Sequence, residues 1–218
     1  MILSRNRLWV VALLLGVCGF SASALAGRVS GRAPLPKVTP QVIAAGKTYG
    51  IQSAPVRIDE FSDLECPHCR NLFLNTLRPL IDQYVANGKV YLVHHDFPLP
   101  MHQYARQAAY YVDAAAAIGK LELVEQTLFL HQDQWSADGK IEPFVTSVLT
   151  PVQAKQVLEL AQTSMVHDAV QQDVSLGDRL GINETPTMFI TYKGRRTPIV
   201  GDVSYPILRG YIDALLRQ

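Results

Sequence analysis

The chain has 218 residues, 48% of them hydrophobic and 18% charged, with 20 Lys plus Arg against 19 Asp plus Glu. That balance leaves no concentrated basic footprint, so no nucleic acid partner is expected. The length supports a conventional hydrophobic core in one domain carrying an insertion, without disulfide staples.

Residues 1–26 read as a secretory signal peptide: Arg5 and Arg7, the apolar run Leu8 to Val17, then small residues ending Ala24-Leu25-Ala26, with cleavage expected after Ala26. The run falls short of the roughly 18 to 20 apolar residues of a spanning helix, so a soluble, exported (periplasmic or equivalent) protein is expected, with an uncleaved anchor as the alternative. Bulky Val17 before Cys18 argues against lipid attachment there. Of the three cysteines, Cys66 and Cys69 then remain. A lone pair in an exported protein is usually a bridge. A bridge closing so small a loop stabilises little, because the entropy term grows with loop length, which favours chemistry over stapling.

Residues 27–49, with Pro34, Pro36 and Pro40, read as an extended leader with one docked turn. Val56 to Phe61 reads as a buried strand. Pro67 to Val85 carries helical three-four spacing, with Pro67 in the first turn, where no amide partner is lost, and Pro79 expected to kink the helix. Asn87-Gly88 marks a stop and Lys89 to Val93 a second strand. His94 to Pro100 reads as the loop that follows, with His94 and His95 assigned to the strand end rather than to catalysis.

Helical patterns then cover Met101–Ile118, Leu121–Gln134, Pro151–Gln162 and Ser164–Leu180, with Thr150 and Ser164 as N-caps and Gly119 and Gly181 as stops. Thr187 to Tyr192 is a strand, Lys193-Gly194 a turn, Thr197 to Val200 its hairpin partner, and Tyr205 to Leu216 an amphipathic helix. Two strands joined by a helix lie parallel, and a hairpin is antiparallel. The expected class is α/β: a mixed central sheet flanked by helices, assembled from residues 50–97 and 181–218, with 98–180 an inserted helical subdomain.

The candidate chemistry sits at Cys66-Pro67-His68-Cys69, at a strand-to-helix junction. Only the thiolate attacks a disulfide or leaves well. Cys66 precedes the helix, where free amides and the positive dipole end favour its anion, and a protonated His68 is expected to add a cationic donor. Cys69, one turn further in and facing the core, is expected to be the resolving thiol. Asp63 and Glu65 place carboxylates nearby, and like charge raises a thiol's pKa, which predicts a weaker oxidant.

Glu60 to Cys69, the loop Asp96-Phe97-Pro98-Leu99, the helical insertion and Gly181-Ile182-Asn183-Glu184-Thr185-Pro186-Thr187 together resemble, in order, the DsbA-like branch of the thioredoxin superfamily. The resemblance covers Ala54 to the C-terminus. It implies a thioredoxin fold and an exported enzyme that introduces disulfides into proteins, with a redox-active Cys66–Cys69 disulfide and no other cofactor. It also implies that Glu60 is a buried acid assisting proton transfer at the resolving cysteine. Pro186 would be a cis-proline against the disulfide, with the Thr185 backbone and Pro67 contacting an extended substrate. The implied partners are unfolded or partly folded secreted proteins and a membrane redox partner of the DsbB or equivalent type.

The short leader argues for a monomer rather than a dimeric isomerase. An isomerase or reductase kept reduced by a membrane partner is the alternative, and a non-catalytic peptide-binding chaperone a more distant one. A structural zinc site needs four ligands, and beyond the cysteines only scattered histidines such as His94, His95 and His102 could supply them, so no metal is expected. His102 is assigned to packing or capping at the start of the insertion; His131 and His167 have no motif around them.

Overall fold

The structure, a computed structural model, describes residues 38–218. The expected signal peptide, its cleavage point, Cys18 and most of the leader lie outside the described residues. Five strands form one sheet in the order β1-β3-β2-β4-β5: β1 Thr48–Tyr49, β2 Val56–Ser62, β3 Val90–Asp96, β4 Thr187–Tyr192 and β5 Arg195–Val200. β2 and β3 are parallel, with Glu60 beside His94, while β4 pairs antiparallel with both β2 and β5. The hairpin turns through Lys193 and Gly194, both at positive φ (45° and 77°), the geometry a two-residue primed turn requires.

The helix after the cysteines runs through α2 (Pro67–Leu72), a π-helical stretch at Phe73–Leu77, α3 (Arg78–Leu80) and a second π-helical stretch at Ile81–Val85. Pro79 lacks an amide, and its ring crowds the preceding turn; the wider turns on either side accommodate it.

The insertion comprises α4 (Ala105–Ala116), α5 (Leu121–Leu130), α6 (Gln132–Trp135), α7 (Glu142–Ser147), α8 (Pro151–Ala161) and α9 (Ser164–Arg179); α10 (Tyr205–Leu216) closes the chain. Thr150 heads α8 in a capping box with Gln153. The cap of α9 is Thr163, not Ser164: its side chain accepts from the Val166 amide. The expected helix from Leu121 breaks at His131, and α7 was not anticipated.

Two stretches depart further from expectation. The end of the leader is folded: α1 (Pro40–Gly46) follows an N-cap at Thr39, and β1 pairs with β3. Gly46 allows this, since a Cβ there would lie 2.1 Å from the Ala116 carbonyl oxygen of α4. His94, His95 and Asp96, read as leading into a loop, complete β3 and are buried. Each finds a charged partner inside: His95 lies between Asp59 (3.1 Å) and Asp173 (2.9 Å), and Asp96 meets the Lys47 ammonium. One apolar cluster runs beneath sheet and insertion alike, including Ile58, Leu72, Tyr111, Leu128, Trp135, Met188 and Ile212.

Candidate active site

β2 ends at Ser62, and a short loop delivers Cys66 to the N-cap of α2, with extended backbone angles (φ −77°, ψ 123°). Loop and helix are tied by Cys66 N donating to the Asp63 carbonyl at 3.0 Å and Arg70 N donating to the Cys66 carbonyl at 3.1 Å. Both cysteines are free thiols and buried, Cys66 at 5% exposure and Cys69 at 0%.

Their environments push them apart. The Cys69 thiol donates to Cys66 and does most to lower it; burial opposes, the backbone amides of Cys69 and His68 assist, and the Cys66 pKa falls to about 5. Burial, followed by the hydrogen bond and charge of Cys66 and the charge of Glu60, drives Cys69 well above the ordinary thiol value. One sulfur is thus a ready nucleophile and leaving group while the other holds its proton, the asymmetry that stepwise thiol–disulfide exchange needs.

The loop before β4 lies against this pair. The Thr185–Pro186 peptide bond is cis, and Thr185 and Pro186 are both buried. Cys66 Sγ, as a thiol, donates to the Thr185 carbonyl at 3.4 Å. The buried Thr185 hydroxyl has no hydrogen-bond partner among the described residues, so it is free to donate to a Cys66 thiolate, and it lowers the Cys66 pKa.

The remaining sequence candidates are distributed unevenly. Pro67 is exposed beside Cys66. His68 contributes through its backbone amide, whereas its ring is turned outward to Asp202, with Nδ1 3.2 Å from Oδ1. Asp202 also accepts from Asn71 at 2.6 Å, so the ring has an anionic partner away from the sulfur.

Asp63 and Glu65 are engaged elsewhere as well. Asp63 accepts from the Leu99 amide (2.7 Å), the Glu65 amide (2.8 Å) and His102 Nδ1 (2.8 Å), and Glu65 accepts from the Tyr104 amide (2.7 Å). These carboxylates fasten residues 98–104 to the cysteine loop, so the expected penalty on Cys66 is offset by donors already in place. Glu60 lies behind the pair in β2, 3% exposed and within hydrogen-bonding distance of His94.

Three contributors went unread in the sequence. Gln132 of α6 is buried and donates Nε2 to the carbonyls of Leu64 (2.7 Å) and Cys66 (3.0 Å), clamping the loop from the insertion. Glu125 of α5 and Tyr49 of β1 join Glu60 and His94. Nothing in their local sequence marks them, since each acts across a long chain separation. Glu60, His94 and Glu125 place ligand-type atoms within 4.8 Å of one another. Those atoms are taken up with each other and with Tyr49, so the arrangement is a closed hydrogen-bonded cluster.

A family model described as thioredoxin matches residues 43–213. The chain belongs to the thioredoxin family. It is similar to the probable disulfide bond formation protein D of Bacillus cereus, 23% identical over 149 residues, covering 66% of this chain and 69% of that protein. It is also similar to the Na(+)/H(+) antiporter NhaA 1 of Mycolicibacterium gilvum, 29% identical over 153 residues, covering 68% of this chain but 24% of the antiporter. The chain therefore spans about a quarter of that relative's length. No helix among the described residues is long and apolar enough to cross a membrane.

Among solved structures, alpha-DsbA1 of Wolbachia pipientis superposes with a TM-score of 0.66 at 22% identity, covering 78% of this chain and 89% of that one. Oxidised BdbD of Bacillus subtilis gives 0.65 at 19% identity, covering 79% and 93%. The thioredoxin-family fold is thus that of DsbA-type proteins, as the sequence resemblance implied.

Proposed function

We propose that this chain is an exported protein thiol:disulfide oxidoreductase that works in the oxidase direction through a Cys66–Cys69 disulfide, its sole redox group. The supporting observation is the split between the two sulfurs, Cys66 at about 5 and Cys69 well above the usual value, beside the cis Thr185–Pro186 loop.

In the oxidised enzyme a substrate thiolate attacks Cys66 Sγ. The Cys66–Cys69 bond breaks, its electron pair passes to Cys69, and Cys69 takes up a proton. A second substrate thiolate then attacks the substrate sulfur of the mixed disulfide; the substrate disulfide forms and Cys66 departs as a thiolate. The substrate loses two electrons, the enzyme gains them, and a membrane oxidant of the DsbB or equivalent type removes them. A stabilised thiolate favours the reduced enzyme and so makes its disulfide oxidising.

Glu60 is the acid serving Cys69. The Thr185 backbone and the flanking Pro67 and Pro186 receive an extended, unfolded secreted chain, read through its main chain rather than its side chains. His68 acts through its amide at the head of α2. The working unit is a monomer.

Oxidation of a reduced dithiol peptide tests the assignment: Cys66→Ser should abolish it while peptide binding persists, and undiminished activity would remove Cys66 as the sulfur that substrate attacks. The thiol state of the pair in cells tests the direction, since a mostly reduced pair would make the chain a reductase or isomerase.

A further inference from the structure

Glu60 does not stand alone behind the cysteines. Its Oε2 lies 3.2 Å from His94 Nδ1, and the same nitrogen lies 3.2 Å from Glu125 Oε1. The Tyr49 hydroxyl donates to the second oxygen of Glu125 at 2.6 Å. Glu60, His94 and Glu125 are at most 3% exposed and Tyr49 is 9% exposed. They come from β2, β3, α5 and β1, so the inserted helices and the end of the leader both reach into the core behind Cys69.

Two carboxyl groups buried side by side need a cation or a proton between them. His94 occupies that position. Its other nitrogen meets Asp96 Oδ1 at 3.3 Å, and Asp96 is itself held by Lys47. Burial alone would strip the His94 proton, but Glu125 and Asp96 outweigh it and hold the imidazole protonated well above its ordinary range. The charged and titratable groups around the cluster are therefore Glu60, Asp96 with Lys47 and, on the same ammonium, Asp113 and Asp173, then Glu125 with Tyr49, the two cysteines, and Arg78, whose charge reaches the Tyr49 hydroxyl.

We propose that Glu125, carried on the insertion, is a positioning residue of the redox centre: with Tyr49 it holds His94 against Glu60, and His94 and Glu60 form a buried proton reservoir for Cys69. This rests on the exchange reaction proposed above. When the Cys66–Cys69 bond breaks, its electron pair settles on Cys69 Sγ. Glu60 relays the Nδ1 proton of His94 to that sulfur, so that one proton leaves the imidazolium and one arrives on Cys69, which ends as a thiol with His94 neutral and Glu60 unchanged overall. When Cys69 attacks a mixed disulfide at Cys66, the same proton returns by the reverse path. Cys69 is fully buried, so direct exchange with water is poor and an internal donor matters.

The test uses the full chain with a peptide disulfide-linked to Cys66. Stopped-flow measurement follows its release by Cys69 across pH, and alkylation of Cys66 across pH is the control. Glu125→Gln removes a carboxylate from the imidazolium, so the inflection of the release profile should move down by about one unit, with the Cys66 alkylation midpoint unmoved. Tyr49→Phe removes only a hydroxyl and leaves the Glu125 charge uncompensated. The proton affinity of the cluster rises, and the inflection should move up.

These opposite signs are not what general loosening of the core produces, and Tyr49→Phe keeps the test available if Glu125→Gln folds poorly. Release profiles that superimpose on wild type, or that shift together with the Cys66 midpoint, would overturn this inference and leave the exchange reaction standing. Failure of the wild-type protein to exchange thiols with peptides at all overturns both.

Discussion

Cys66 is set by contacts that are individually ordinary: an N-cap position, two amides, a neighbouring thiol and a threonine hydroxyl. Losing the hydroxyl in Thr185→Val removes a donor to the thiolate. A hydrogen bond to a charged group contributes about 1.5–3 kcal/mol, so the Cys66 alkylation midpoint should rise by roughly one unit from its value near 5. An unmoved midpoint would show that the hydroxyl never turns to the sulfur. His68→Ala should change that midpoint little, because the ring is committed to Asp202 and the contribution of residue 68 is its amide. A large upward shift in that variant would restore the ring to the role the sequence suggested.

The first helix and strand matter more than their length implies. Lys47, directly after α1, is 4% exposed, and its ammonium meets Asp96 of β3, Asp113 of α4 and Asp173 of α9, the last two at 2.6 and 2.5 Å. Burial would lower the Lys47 pKa, but the three carboxylates override it and keep the lysine charged. Removing one partner of such a cluster strands the others, which costs about 3–5 kcal/mol. Lys47→Ala should lower the denaturation midpoint accordingly, and a change within a few tenths of a kcal/mol would mean the carboxylates find water or protons instead. At Gly46 the α1–α4 approach admits no side chain; Gly46→Ala should destabilise by about 1–3 kcal/mol through overpacking, measurable in the same denaturant titration.

Over the molecule as a whole, the ionisation of Cys66 is linked to folding stability. In the reduced protein the Cys66 pKa is depressed from 9.0 to about 5. A depressed thiol contributes stability that is fully present above its unfolded value and is lost as pH falls through the folded one. Reduced protein should therefore melt at a higher temperature than oxidised protein near pH 9, with the difference shrinking as the pH is lowered towards 5. Calorimetry on both forms across that range checks the sign, and a gap that widens on acidification would contradict it.

Much of this was legible along the chain. The Cys-Pro-His-Cys junction, the β2–β3 crossover, the Lys193-Gly194 hairpin and the Thr150 cap each depend on neighbours a few residues away, where periodicity, turn chemistry and capping speak directly. The charged residues were harder to read. His94 and His95 looked like the end of a strand running into a loop because single-sequence polarity cannot reveal that Glu60, Glu125, Asp59 and Asp173 wait on other elements. The proline-rich leader gave no sign that Lys47 and Tyr49 at its end anchor the core, and nothing around Gln132 or Glu125 marks the first as reaching the Cys66 carbonyl or the second as reaching His94 from the insertion. Short-range order thus follows from the order of residues alone, because steric and hydrogen-bonding preferences act between near neighbours. Which buried charges are paired was decided by tertiary packing, because the energy of a buried charge depends on partners tens of residues distant.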